Sequence, residues 1–159
     1  IRYLRAHVRG RIAIVIGAGG DRDHSKRPVM GREAALRSDL VIVTDDNPRS
    51  EDPASIRQQV VAGAKAVGDH VHVNHVDEPH NKVETEGSGH RPTIREIGDR
   101  REAIRAAIQW AQRGDAVIVA GKGHETGQLI GDTTQPFDDR VDTRRRIEDN
   151  MTSSVEKYK

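Results

Sequence analysis

Hydrophobic residues along the chain gather in three short, unbroken runs. These are Ile12-Ala13-Ile14-Val15-Ile16, Leu40-Val41-Ile42-Val43-Thr44 and Ala116-Val117-Ile118-Val119-Ala120. None alternates with polar residues, so both faces of each run need cover. That predicts strands of a parallel sheet with helices on either side. Between the runs, apolar positions recur at helical spacing. Residues 28–38 open with Pro28, a favoured first helical residue. Residues 53–67 open with Pro53 behind Ser50-Glu51-Asp52, whose side chains supply capping oxygens. Residues 99–113 carry Ile104, Ala107, Ile108 and Ala111 on one face and stop at Gly114. This βαβα rhythm, closed by right-handed crossovers, predicts an α/β fold with a Rossmann-like, doubly wound, mostly parallel sheet.

Other stretches break the rhythm. Residues 1–8 read as the middle or end of a helix, as if the sequence began inside a longer chain. Val71 and Val73 suggest a short strand, and residues 77–91, polar and rich in Gly, Pro and His, read as an exposed insertion. Residues 128–137 predict a hairpin turning at Gly131-Asp132. Residues 138–150 predict a terminal helix, which leaves one domain over 1–150 and a flexible tail over 151–159.

Composition narrows the function. Hydrophobic residues make up 34% and aromatic ones only 3%, so the core must be built from Ala, Val, Ile and Leu, as thin α/β layers allow. Charged residues reach 32% but cancel to +1, which argues against bulk nucleic-acid binding. The lack of cysteine excludes disulfides and thiolate zinc sites and fits a cytoplasmic setting. No apolar run approaches the roughly 20 residues that span a bilayer, so no membrane insertion is expected. Five of the eight histidines fall in 70–90, and His70 and His72 would share a strand face. No acid or cysteine completes a ligand set there, so no metal site is expected.

Each strong strand runs into an unusual polar loop. The loops are Gly17-Ala18-Gly19-Gly20-Asp21-Arg22-Asp23, Asp45-Asp46-Asn47-Pro48-Arg49 and Gly121-Lys122-Gly123-His124-Glu125. In an open parallel sheet, ligands bind outside the carboxyl ends of the strands, so these loops should line one crevice. Arginines, carboxylates, a lysine and bare glycine backbone together suit a zwitterion better than a pure anion. Gly17 to Gly20 reads either as part of a dinucleotide fingerprint or as a tight turn needing positive φ. Pro48 stiffens the backbone before Arg49, and Asp46 and Asn47 brace the turn, so the guanidinium is aimed at a carboxylate. Arg22 alone would pass for a surface charge. Lys122 and His124 read as rim residues, His124 standing beside Glu125. No phosphate-binding P-loop exists, because Ala116 stands where its first glycine belongs and Gly123 follows Lys122.

Gly19-Gly20-Asp21-Arg22-Asp23 with Lys26-Arg27-Pro28, then Thr44-Asp45-Asp46-Asn47-Pro48-Arg49, then Gly121-Lys122-Gly123-His124-Glu125 resemble, in order and spacing, the Mur ligase family. The likeness runs from Arg5 to about Asn150, apart from the insertion, which is longer than the family leads one to expect. Asp46-Asn47-Pro48-Arg49 is similar to the signature of members that add meso-diaminopimelate; lysine-adding members differ where Arg49 stands. The resemblance implies a C-terminal domain of an ATP-dependent ligase whose other domains hold UDP-N-acetylmuramoyl-L-alanyl-D-glutamate, ATP and Mg2+. It further implies that Arg22, Asp46, Asn47, Pro48, Arg49, Gly121 and Glu125 contact diaminopimelate and that Asp21 lies on the ATP side.

Two rival readings stand beside it. A free-standing amino-acid or anion-binding module of Rossmann-like fold would use the same loops without catalysis. A nicotinamide-dependent oxidoreductase rests on Gly17 to Gly20 alone, and Asp45 and Asp46 open a Pro-Arg turn instead of facing a ribose. For residues 77–91, fast amide exchange is the expected outcome; strong protection throughout, or stoichiometric zinc binding through His70, His72 and His75, would overturn the reading of an exposed insertion.

Overall fold

The computed structural model describes residues 1–67, 92–123 and 125–156. In chain order the elements are α1 (Arg2–Arg5), β1 (Ile12–Ile16), α2 (Lys26–Ala35), β2 (Leu40–Val43), α3 (Pro53–Lys65), β3 (Thr93–Glu96), α4 (Arg100–Trp110), β4 (Ala116–Ala120), β5 (Gly127–Ile130), β6 (Thr133–Pro136) and α5 (Asp139–Glu156). The main sheet has the order β3-β2-β1-β4, and every pairing in it is parallel. Ile16 pairs with Val43 on one side and with Ala120 on the other, so β1, β2 and β4 end level with one another. The chain winds outward from β1 in both directions, which opens a crevice at the carboxyl edge beside β1.

The sheet buries two apolar layers. Ile14, Ile16, Val41 and Val43 face Ala34 and Ala35 from α2 and Ile56, Val60 and Ala64 from α3. Ala13, Val15, Leu40 and Ile42 face Ala103, Ile104, Ala107 and Ile108 of α4, together with Phe137. Asp52 and Asp99 cap α3 and α4, each accepting two backbone N–H bonds through its side chain.

Several boundaries differ from the sequence reading. Helix α2 starts at Lys26, behind Ser25, so Pro28 sits inside the first turn and not at its first position. The fit is still good, since first-turn N–H groups lack an intrahelical partner and none is lost to proline. Strand β3 is not anticipated by the pattern: only Ile94 in Thr-Ile-Arg-Glu is a buried apolar residue, because the strand lies at the sheet edge. Helix α4 ends at Trp110, where Ala111 turns extended; Gly114, at φ +95, serves the later turn into β4. Strand β4 is half-buried and not enclosed, because it forms the opposite edge. A groove of about 520 Å³ separates its Val117 and Val119 from Ile147 of α5. Helix α5 continues past Asn150 to Glu156. The expected strand at Val71 and Val73 and the insertion over 77–91 lie outside the described residues.

Helices α2 and α3 pack backbone against backbone. A Cβ on Gly63 would stand 1.9 Å from the Pro28 carbonyl oxygen, and one on Gly31 would stand 1.9 Å from that of Val60. In an exposed helix, alanine would be favoured over glycine by about 1 kcal/mol. Here the added methyl meets main chain that cannot swing aside, and overpacking of this kind costs about 1–3 kcal/mol. Gly63→Ala is therefore expected to lower the urea midpoint, by about 1 kcal/mol or more in stability. An equal or higher midpoint would show that the two helices separate without cost.

Candidate functional site at the carboxyl edge of the sheet

The loops that leave β1, β2 and β4 meet, and hydrogen bonds join them directly. Between the first and second, the Gly20 N–H donates to the Asn47 carbonyl at 2.8 Å, and Arg49 Nη1 donates to the Gly20 carbonyl. A Cβ on Gly20 would lie 1.8 Å from the Pro48 oxygen, and one on Gly17 would lie 2.7 Å from the Thr44 oxygen. The glycines after β1 are thus explained by close approach. Neither has a positive φ; the left-handed residue of this loop is Asp21, at φ 52.

The second and third loops are joined beneath the surface. Lys122 is 2% exposed, and its Nζ lies 3.0 Å from Asn47 Oδ1, 2.9 Å from the Gly127 oxygen and 3.3 Å from Asp46 Oδ1. Sequence reasoning puts this lysine on the rim, whereas the structure buries it, hydrogen-bonded to Asn47 and to Gly127 of β5 and ion-paired with Asp46. Asn47 Nδ2 in turn donates to Glu125 Oε2 at 2.9 Å. Gln128 Nε2 donates to the Asp46 carbonyl at 2.7 Å. Gly121, at φ +128, lies against Asp46: a Cβ there would be 3.2 Å from Asp46 Oδ2.

The remaining expected residues are found as follows. The stem of Arg22 and the guanidinium of Arg49 flank Gly19, where a Cβ would lie 3.6 Å from Arg22 Cγ and 3.1 Å from Arg49 Nη1. Arg22 is exposed and has no partner among the described residues. Arg49 is half-buried at φ 53, with Pro48 buried behind it. Glu125 is exposed at the mouth. The Asp21 carboxylate accepts the Ser50 hydroxyl at 2.8 Å and the Ser50 N–H at 3.3 Å. His124 lies outside the described residues.

Two supporting arginines are given no role by the sequence reading. Arg27, 1% exposed, grips Glu51 with both Nη atoms at 2.8 and 2.9 Å and donates to the Gly19 carbonyl at 3.1 Å. Arg100, 2% exposed, holds Asp139 at 2.7 and 2.8 Å and reaches the Ala120 carbonyl at 3.1 Å. Arg27 enters the sequence reading only as part of Lys26-Arg27-Pro28, with no role given, and Arg100 not at all, since each lies in a charged stretch and its partner is remote in sequence. Asp45 is paired with Arg57, yet burial outweighs that contact and pushes its carboxyl above the usual value.

The site is a crevice at the switch point of a doubly wound α/β sheet. Arg22, without a partner among the described residues, and Arg49, with one arm of its guanidinium in use, flank Gly19 there, and Glu125 is exposed on the third loop. The fold is that of an α/β domain whose candidate site mixes cationic and acidic side chains. The chain belongs to the Mur ligase family: residues 1–123 match the family model described as "Mur ligase, glutamate ligase domain". Proteins named UDP-N-acetylmuramoyl-L-alanyl-D-glutamate--2,6-diaminopimelate ligase are similar to it. That of Corynebacterium glutamicum is 48% identical over 96% of this chain and 26% of its own length. That of Corynebacterium efficiens is 51% identical over 91% and 24%. A solved structure of a protein with this name superposes with a TM-score of 0.70 at 39% identity, covering 94% of this chain and 26% of that one. The chain thus spans about a quarter of the length of the relatives it matches.

Arg27 holds the Glu51 carboxyl at about 2, against an ordinary 4.5, with the Asp21 N–H helping. A carboxyl depressed by folding contributes stability that is complete above pH 4.5 and is lost as the pH falls towards about 2. Urea unfolding of the native chain and of Glu51→Gln is expected to differ most near neutrality and to converge as pH drops through that window. A gap independent of pH would show that the Arg27–Glu51 pair is not what tethers the first loop.

Proposed function

We propose that this chain is the amino-acid-presenting domain of an ATP-dependent ligase that joins meso-diaminopimelate to UDP-N-acetylmuramoyl-L-alanyl-D-glutamate in peptidoglycan synthesis, in the cytoplasm. The observation that carries the reading is the Arg49 fork. Nη1 is anchored on the Gly20 carbonyl, while Nε and Nη2 have no partner among the described residues. A guanidinium held by one arm offers the other edge to a carboxylate in two parallel hydrogen bonds. Diaminopimelate has two carboxylates and two amines. Arg49 takes the side-chain carboxylate and Arg22 the other one. Asp46, Asn47 and Pro48 keep the turn in shape, and Glu125 with the Gly121 carbonyl receives the distal ammonium. What the domain contributes is position: the attacking amine is brought to its partner in a fixed orientation.

No group of three or more His, Asp or Glu side chains suited to a metal occurs among the described residues. Asp21, assigned to the ATP side, is held in place by Glu51, which accepts its N–H, and by Ser50, which donates to its carboxylate. ATP and Mg2+ are assigned mainly to upstream domains of the same parent chain, which also hold the UDP-linked substrate, while this domain closes over the nucleotide. No helix among the described residues is long and apolar enough to cross a membrane.

Two outcomes test the reading. The purified chain with ATP and diaminopimelate is expected to release no phosphate above background; release would contradict it. In the full-length ligase, removing one partner of a desolvated charge pair costs on the order of 2–5 kcal/mol. With about tenfold in affinity per 1.4 kcal/mol, Arg49→Ala should raise the KM for diaminopimelate roughly 30-fold or more while the KM for ATP changes little. Arg49→Lys should recover only part, because an ammonium lacks the planar fork. Near-normal kinetics in Arg49→Ala, with lysine still rejected, would move selectivity elsewhere in the crevice.

A further inference from the structure

Lys122 does more than neutralise the partly exposed Asp46. Its ammonium is a donor only, and so is the Leu129 N–H; both are aimed at Asn47 Oδ1, at 3.0 and 2.9 Å. A side-chain amide has one oxygen and one NH2. With two donors on one side, the oxygen must face them, and the NH2 is forced to the opposite side. There it meets Glu125 Oε2, an acceptor, at 2.9 Å. The amide cannot turn over without setting NH2 against NH3+. The direction of the Asn47–Glu125 bond is thus decided below the surface, at a lysine whose side chain is fully buried.

We propose that Lys122 is a positioning residue for the ammonium-binding carboxylate of the site: through Asn47 it fixes how Glu125 is presented to the ligand. The inference rests on the functional reading above, in which Glu125 receives the distal ammonium of diaminopimelate. With one oxygen held by Asn47, Glu125 keeps its other oxygen for the ligand, and its rotamer is set before binding. That lowers the ordering cost that a free glutamate at an exposed mouth would otherwise impose. Lys122 is held on its own account by the Gly127 carbonyl, which ties the relay to β5.

Two measurements separate the relay from a purely structural role. In the 159-residue chain, the 15N side-chain amide pair of Asn47 is identified as the signals lost in Asn47→Ser. That pair is expected to move on Lys122→Met and on Glu125→Gln, without ligand. A pair indifferent to Lys122→Met overturns the relay whatever the domain binds. In the full-length ligase, Lys122→Met should raise the KM for diaminopimelate about tenfold, the effect of losing roughly one hydrogen bond to a charged group, and should lower kcat by less. Because an unpaired Asp46 could itself disturb folding, the same substitution is made in an Asp46→Asn background, where charge stays balanced. If Lys122 only neutralises Asp46, it has no further effect there, and the proposal is overturned. If it acts through Asn47, the further rise of about tenfold persists. Should Glu125→Gln leave the KM unchanged, the functional reading has failed and the proposal falls with it. Should Glu125→Gln raise the KM while Lys122→Met does not, the relay alone is overturned.

Discussion

Beneath the carboxyl edge of the sheet lie three cations that the fold buries: Arg27, Lys122 and Arg100. A buried charge is tolerated only where acceptors surround it, so each organises the chain about itself. Arg27 collects Glu51 and the Gly19 carbonyl, joining the first loop to the start of α3. Lys122 collects Asp46, Asn47 and the Gly127 carbonyl, joining the second loop to the third. Arg100 collects Asp139 and the carbonyls of Ala120 and Asp45, joining β4 and β2 to α5. Loss of any one would leave carboxylates or carbonyls without donors in a place water hardly reaches, which is costlier than losing a surface pair. Buried ionic contacts thus cross-link the loops at this edge.

The parallel sheet decides where this floor can be. All four main strands run the same way, so every strand-to-helix connection of one sense leaves from the same edge. The other edge is closed by structural pairs: Asp115 takes Arg11, whose guanidinium also lies 4.1 Å over the Trp110 ring, and Asp39 takes Arg5 and the Ile12 N–H. Polar groups at the amino edge satisfy one another. At the carboxyl edge Arg22 has no partner among the described residues, Arg49 uses one arm of its guanidinium and Glu125 is exposed, and this asymmetry marks that edge as the candidate site.

Much of this was legible from residues alone, for reasons that differ by element. Strands β1, β2 and β4 announce themselves because their side chains are almost all Val, Ile, Leu or Ala. Strand β3 does not, because an edge position lets Thr93, Arg95 and Glu96 stay partly wet. The meeting of the three loops follows from topology, and so was available before any coordinate. Burial of individual charges was not: Lys122 reads as a rim residue until its partners across the crevice are known, and Arg27 and Arg100 look like the many exposed arginines beside them. Sequence spacing reports which loop a residue belongs to. It does not report whether its charge faces solvent or neighbouring carbonyls.

The small hairpin of β5 and β6 acquires a purpose from backbone strain. Among the described residues, two non-glycine residues take left-handed conformations, Asp21 at φ 52 and Arg49 at φ 53, and both stand in the loops that leave β1 and β2. Each such residue costs on the order of 1–2 kcal/mol and persists only if its surroundings hold it there. Asp21 is held by the head of α3, its N–H on Glu51 and its carboxylate on Ser50. Arg49 has no helix to hold it. Its N–H donates to the Leu129 carbonyl and its carbonyl accepts from the Gly131 N–H, a one-residue parallel bridge to Ile130. A two-stranded hairpin is marginal by itself. This one gains its place by docking on Arg49, while Arg49 gains the fixed backbone that aims its guanidinium. The hairpin is best understood as a clamp on that turn, which accounts for its following directly on the third loop in the chain.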